Sequence, residues 1–241
     1  EALAKAAAVI NGEPSHQLDL VGITGTNGKT TTTYLCFALA EAAGEKPAML
    51  TTVEYRIGER SEPAVRTTPE ASDTNRFLRE AVDHGCTMAV MEASSQAIDL
   101  HRCDWLRFKV AVFTNLTQDH LDYHLTMENY FDAKKKLFDG RLGELPASSV
   151  VNIDDEYGNR LARELTAAGR RVVTISQNDD AADLRASDIT VSLIRGTEFI
   201  LRSYAGEYRI TSPLVGKPHV YNMLTATAAG LELGYDIDDM I

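Results

Sequence analysis

The run Val21-Gly22-Ile23-Thr24-Gly25-Thr26-Asn27-Gly28-Lys29-Thr30-Thr31-Thr32-Thr33 constrains this chain more than any other stretch. An apolar segment from Leu18 to Ile23 leads into a turn with Gly25 and Gly28. The polar cluster Lys29 to Thr32 then opens a helical pattern through Tyr34, Leu35, Phe37, Ala38 and Leu39. Strand, glycine turn and helix in that order make a phosphate-binding loop. The glycines let backbone N–H groups approach phosphate oxygens, and the helix N-terminus adds partial positive charge. In such a loop Lys29 reaches the β- and γ-phosphates and the Thr30 hydroxyl binds Mg²⁺. The strict pattern G-x-x-x-x-G-K-[ST] asks for Gly at position 23, where this chain has Ile23, with Gly22 one place early. The loop is therefore a variant. The competing reading is a glycine turn that only caps a helix, and the strand and helix flanks argue against it.

The remaining pattern extends that unit into a sheet. Ala48 to Val53, Thr87 to Met91, Lys109 to Thr114, Ser149 to Ile153 and Arg171 to Ile175 read as strands, several of them continuously apolar. Between them, Phe77, Leu78, Ala81 and Val82 have helical spacing after a cap at Ser72 or Asp73, and Asp155 to Ala167 reads as a helix. Strands apolar on both faces and alternating with helices predict an α/β, P-loop-containing, mostly parallel doubly wound sheet with helices on both faces. Residues 55–71 read as loop. From about residue 187, short period-2 segments separated by Gly196 and Gly206 predict a small antiparallel flank, and a last helix runs from about Pro218 to Leu233. Residues 1–17 read as a short Ala-rich helix and a turn, the tail of a preceding domain or a linker, leaving 18–241 as one domain of an excised or processed longer protein.

Composition narrows the function classes. A net charge of −11 spread along 241 residues argues against nucleic acid and offers no basic patch to an anionic membrane. No apolar run reaches membrane-spanning length. Cys36, Cys86 and Cys103 lack C-x-x-C spacing, so buried free thiols in a reducing cytoplasm fit.

In doubly wound sheets ligands sit at the carboxyl ends of the strands. Glu92 directly follows one apolar strand and Asn115 another, so both meet the loop there. Glu92 is placed to hold the Mg²⁺ of a nucleotide; alone, it would read as a capping or solvated residue. His120 lies just past Asn115 at the same edge, either as a metal ligand or within a capped turn. Lys134 fills the one gap in the apolar stripe Met127, Tyr130, Phe131, Leu137, Phe138 of a helix over 127–138, whereas Lys135 and Lys136 point towards water. A lysine on a buried stripe either snorkels or has a lowered pKa. A neutral amine there can take up carbon dioxide as a carbamate, turning a cation into an anionic metal ligand.

With these residues assembled, the chain resembles the Mur ligase family, most closely its tripeptide-synthetase type. The carriers are GTNGKTT at 25–31, TTPE at 67–70, MEASS at 91–95, HR at 101–102, FTNLTQDHLDYH at 113–124, the Lys134 helix, NIDDE at 152–156 and HVYN at 219–222. The resemblance implies the central ATP-binding domain of a three-domain enzyme and an ATP-dependent amide ligation in peptidoglycan precursor synthesis. The free D-Glu carboxylate of UDP-MurNAc-L-Ala-D-Glu would attack the γ-phosphate, and the amine of diaminopimelate or lysine would displace phosphate from the acyl phosphate. Gly25, Thr26, Asn27, Gly28, Lys29, Thr30 and Thr31 would cradle the nucleotide, with Asn115, His219 and Asn222 on its far side. By the same resemblance, Thr30 and Glu92 hold one Mg²⁺, and Glu92, His120 and a carbamylated Lys134 a second. Arg66, Thr67, Thr68, Ser94 and Arg102 would contact the muramoyl dipeptide. Gln96, Leu100, Arg66 and His219 depart from residues common in relatives. A folylpolyglutamate-synthetase-like ligase, and an ATP- and Mg²⁺-binding module inactive without flanking domains, remain as alternatives. A monomer is expected.

Overall fold

The computed structural model describes residues 1–240. The chain opens with α1 (Ala2–Ile10) and a 3-10 turn at Pro14–His16, then β1 (Asp19–Thr24) and α2 (Lys29–Ala42). Next come β2 (Pro47–Leu50), β3 (Glu54–Ile57), β4 (Arg60–Pro63), α3 (Ala71–Asp83), β5 (Met88–Glu92), α4 (Ser95–Asp99) and β6 (Val110–Phe113). The second half carries α5 (Leu121–His124), α6 (Met127–Lys135), β7 (Ser148–Asn152), α7 (Glu156–Ala167) and β8 (Val172–Ser176). It ends with β9 (Leu184–Ser192), β10 (Gly196–Ser203), β11 (Gly206–Ser212), α8 (Lys217–Leu233) and α9 (Ile237–Met240).

All eleven strands join one sheet in the order β11-β10-β9-β8-β7-β6-β1-β5-β2-β3-β4. The run from β2 through β5, β1, β6, β7 and β8 to β9 is parallel. Antiparallel ribbons extend both ends, β10 and β11 on one side and β3 and β4 on the other. Ile23 sits opposite Glu92, and Thr24 opposite Phe113. This register brings the ends of β5 and β6 to either side of the loop that leaves β1.

Alternate residues of β1 feed the two faces. Leu20 packs with Met91, Phe113, Val151 and the helical side chains Phe131 and Leu161, while Val21 and Ile23 pack with Val90, Val112, Phe37 and Leu224. Burying each such aliphatic or aromatic side chain contributes ~1.5–3 kcal/mol. Gly22 belongs to this packing rather than to phosphate binding, because a Cβ there would lie 2.6 Å from the Phe108 ring.

Three local readings of the sequence are corrected. Residues 55–71 contain the β3–β4 ribbon, whose half-exposed, charge-rich strands carry little apolar alternation. Helix α3 begins at Ala71 with Glu70 at its N-cap, not Ser72 or Asp73, and Glu70 makes no capping bond because its carboxylate meets Arg66 and Arg102. Helix α6 ends at Lys135, and Leu137 and Phe138 stay buried in the turn beyond it. Helix α1 buries Ala4, Ala7 and Ala8 and packs on α3. The three cysteines are buried and free, and burial pushes the Cys36 and Cys103 thiols up to about 12. Among the described residues no helix is long and apolar enough to cross a membrane.

Candidate active site

The loop between β1 and α2 takes its shape from two glycines that tolerate no side chain. Gly25 has φ +147°, and a Cβ on it would fall 1.9 Å from Thr114 Oγ1. Gly28, at the N-cap of α2, has φ +86° and lies where a Cβ would come 2.5 Å from Asn222 Oδ1. The strand conformation persists through Ile23 and Thr24, so the first turn glycine is Gly25, which accounts for Ile23 in the strict pattern's glycine position. Asn115 ties the loop down: its Oδ1 accepts from Asn27 N at 2.9 Å and its Nδ2 donates to Asn27 O at 3.1 Å. Lys29 Nζ donates to Gly25 O at 2.9 Å and Thr26 O at 2.8 Å. Burial lowers its pKa, against the opposing pull of Glu92 and Asp119.

Glu92, at the end of β5, is 1% exposed. Its Oε1 accepts from Thr30 Oγ1 at 2.9 Å and from Thr52 N at 2.8 Å, and Thr52 Oγ1 reaches both carboxylate oxygens at 3.2 Å. The carboxylate is thus held by a backbone N–H and two hydroxyl donors, with no basic side chain in hydrogen-bond contact. It stands one hydroxyl from the start of α2, where a phosphate-bound cation would need it.

Lys134 is 1% exposed, yet its Nζ faces the same cavity. Its partners are Gly25 O, at 2.9 Å, and the Tyr130 ring, 4.5 Å from the nitrogen. Burial and the nearby Lys29 charge hold its pKa well below the usual lysine value, with Asp119 opposing. Lys135 and Lys136 are not simply solvated: each is partly buried and meets a carboxylate, Glu164 at 2.6 Å and Asp99 at 2.7 Å. His120 caps α5 in the left-handed region at φ 51°, is exposed, and sets its ring edge-on to Tyr130. His124 is buried, with Nε2 2.9 Å from Ser95 Oγ, and burial lowers its pKa.

Lys29, Thr30, Glu92, His120 and Lys134 thus line one cavity of about 540 Å³, together with Thr26, Asn27, Gly28, Thr31, Thr67 and Ser94. Thr68 is buried beneath it, donating to Glu92 O at 2.8 Å and accepting from Ser94 N at 3.1 Å. Arg102 donates to Thr68 O and pairs with Glu70, leaving its buried Nε without a partner. Asn222 lies behind the loop, accepting from Thr32 Oγ1 at 3.4 Å. His219 sits at the start of α8, outside the cavity lining, with Nδ1 buried and unpaired. Arg66 is not brought to the cavity; it lines a separate pocket of about 230 Å³ with Tyr55 and Phe77.

Sequence reasoning gave no role to Thr52, Ser95, Asp122, Tyr123 and His124 in the lining, and named Gln96 there only as a departure from relatives. His124 had a signal, because it lies one helical turn past His120, whereas Thr52 had none, since its role depends on the β2–β5 pairing. The donors fit a metal-assisted phosphate site: a loop without room for Cβ atoms, a hydroxyl on a buried carboxylate, and a buried amine with only one oxygen partner.

Residues 23–230 match the sequence profile described as Mur ligase middle domain. The chain is 44% identical to a Geobacter metallireducens protein named UDP-N-acetylmuramoyl-L-alanyl-D-glutamate–2,6-diaminopimelate ligase, covering 98% of this chain and 46% of that protein. A solved structure of a ligase with the same name superposes with TM-score 0.84 at 30% identity, covering 93% of this chain and 45% of that one. Mycobacterium tuberculosis folylpolyglutamate synthase, solved with ADP and AMPPCP, shares the fold at TM-score 0.75 and 19% identity, over 98% of this chain and 60% of that one. The chain spans about half the length of the similarly named ligases it matches.

Proposed function

This chain belongs to the Mur ligase family, and from that premise we propose that it is the ATP-binding core of a ligase that adds 2,6-diaminopimelate to UDP-MurNAc-L-Ala-D-Glu in peptidoglycan precursor synthesis. The observation that carries the reading is the meeting of Lys29, Thr30, Glu92 and Lys134 around one polar cavity at the carboxyl edge of the sheet. The diamino acid follows the name of relatives that share more than 40% of this sequence. Fold likeness alone supports the folate-tail alternative, so the muramoyl substrate is preferred. Reduced thiols and an ATP supply suit the cytoplasm.

In this reading the backbone N–H groups from Gly25 to Gly28 cradle the nucleotide phosphates. Lys29, whose ammonium donates to two loop carbonyls, turns it onto the γ-phosphate. Thr30 and Glu92 would hold Mg²⁺, and Glu92, His120 and a carbamate on Lys134 a second ion. When bound, Mg²⁺ supplies charge neutralisation at the phosphoryl group in flight. Lys134 Nζ, once neutral, adds to CO₂ with loss of one proton, and the new carboxylate replaces a buried cation with an anion beside Lys29. Thr67, Ser94 and Arg102 orient the dipeptide so that its free D-Glu carboxylate faces the γ-phosphate. The carboxylate oxygen bonds to phosphorus as ADP leaves, and the incoming amine then bonds to the acyl carbon as phosphate leaves. Arg66, facing another pocket, is proposed as a rim contact only.

The test uses the protein that carries this domain with its flanking segments, given ATP, Mg²⁺, UDP-MurNAc-L-Ala-D-Glu and diaminopimelate. The reading requires a product heavier than the dipeptide by one diaminopimelate less water, with ADP and phosphate in equal amount. ATP turnover without that product, or glutamate added to a folate instead, would overturn it.

A further inference from the structure

Tyr130 is fully buried on α6 and touches three parts of the cavity wall. Its ring is the second of the two partners of the Lys134 ammonium, one turn along the helix. Its hydroxyl lies 3.2 Å from Thr26 Oγ1 in the phosphate loop. The His124 ring stacks on it with centroids 5.0 Å apart, and Ser95, at the start of α4, fixes His124 in turn.

The proton count at Thr26 gives the direction of the hydroxyl contact. Thr26 Oγ1 accepts from Thr117 N at 3.0 Å and can give its own proton to Thr117 O at 3.2 Å. Its remaining lone pair then accepts from the Tyr130 O–H. At the other end, a lysine has four rotatable bonds whose rotamer freedom is lost when its nitrogen is fixed. Gly25 O alone fixes only one of the three N–H vectors. In the unmodified side chain the negative face of the ring supplies the second restraint, and in either charge state the ring closes that side of the nitrogen's pocket.

We propose that Tyr130 is a positioning residue that joins the two halves of the site, its hydroxyl setting the phosphate loop and its ring setting the Lys134 nitrogen. The inference rests on the function proposed above for what Lys134 does. What the hydroxyl holds follows from the geometry alone.

Two variants separate these roles. Tyr130→Phe deletes only the hydroxyl, and the dissociation constant for ATP rises roughly three- to tenfold, the loss of one hydrogen bond, while kcat stays within about twofold. Tyr130→Leu keeps apolar bulk but removes ring and hydroxyl; ATP binding weakens as in the Phe variant and kcat falls at least about tenfold, as when a ligand's supporting contact is lost. Calorimetry with ATP and steady-state ligation read the two effects. ATP affinity unchanged in Tyr130→Phe, or equal losses of affinity and kcat in both variants tracking a fall in Tm, would overturn the proposal. The binding arm needs no turnover, so a wild-type protein that fails to ligate overturns the proposed function while leaving the hydroxyl's role measurable.

Discussion

Lys29 and Lys134 donate to the same backbone carbonyl, each with its ammonium nitrogen 2.9 Å from Gly25 O. In the proposed function both side chains face the place where the nucleotide phosphates would bind.

The first prediction concerns stability. Lys134→Met keeps the packing and removes an amine whose ionisation burial opposes, so in bicarbonate-free buffer at neutral pH the variant is more stable than wild type. The folded pKa of Lys134 lies below the unfolded value of 10.5, so between the two the unfolded chain binds more protons and wild-type stability rises with pH. The penalty is complete below the folded pKa and absent above 10.5, so the variant's advantage narrows as pH rises. Lys29, shifted the same way, is common to both proteins. Urea unfolding between pH 6 and 9.5 measures this, and a Met variant less stable than wild type at pH 7 contradicts it.

Glu92→Gln preserves size and an oxygen for Thr52 N but removes the charge. Affinity for ATP in Mg²⁺ falls at least about tenfold, while affinity measured in EDTA changes by less than twofold. Equal losses in both buffers would mean that Glu92 shapes the loop rather than serving a cation.

Gly25→Ala sets a Cβ against Thr114 Oγ1 and forces a strained φ. It costs roughly 1–3 kcal/mol from backbone strain alone and abolishes ATP binding. Gly44→Ala is the control: it also has positive φ, but nothing lies within 4 Å of its Cβ. That variant loses stability and still binds ATP as wild type does, as thermal melts with and without nucleotide will read.

Arg66→Ala leaves ATP affinity unchanged, because Arg66 lines the Tyr55–Phe77 pocket and its pair with Glu70 is exposed. Stability moves by less than about 1 kcal/mol. A tenfold change in ATP affinity would contradict that placement.

Much of this was legible in sequence because chemistry and periodicity coincided. Lys134 broke an apolar stripe, and it is buried as that stripe requires. Glu92 and Asn115 ended continuous apolar strands, and parallel register carried both to the loop. The β3–β4 ribbon was hidden because its exposed, charged strands carry little apolar alternation. Thr52 was hidden because its reach to Glu92, by N–H and hydroxyl, depends on the β2–β5 pairing, which residue identity does not record. Arg66 adjoins Thr67 in sequence but lines a different pocket, a separation that adjacency alone does not reveal.

In the proposed reaction a substrate carboxylate is phosphorylated in this cavity before an amine displaces the phosphate. That order is tested most directly by supplying UDP-MurNAc-L-Ala-D-Glu with ¹⁸O in its free D-Glu carboxylate to the whole protein with ATP, Mg²⁺ and diaminopimelate, then weighing the phosphate released. Each phosphate is expected to carry one ¹⁸O atom, brought from the carboxylate through the acyl phosphate. Phosphate free of ¹⁸O alongside amide product would contradict it.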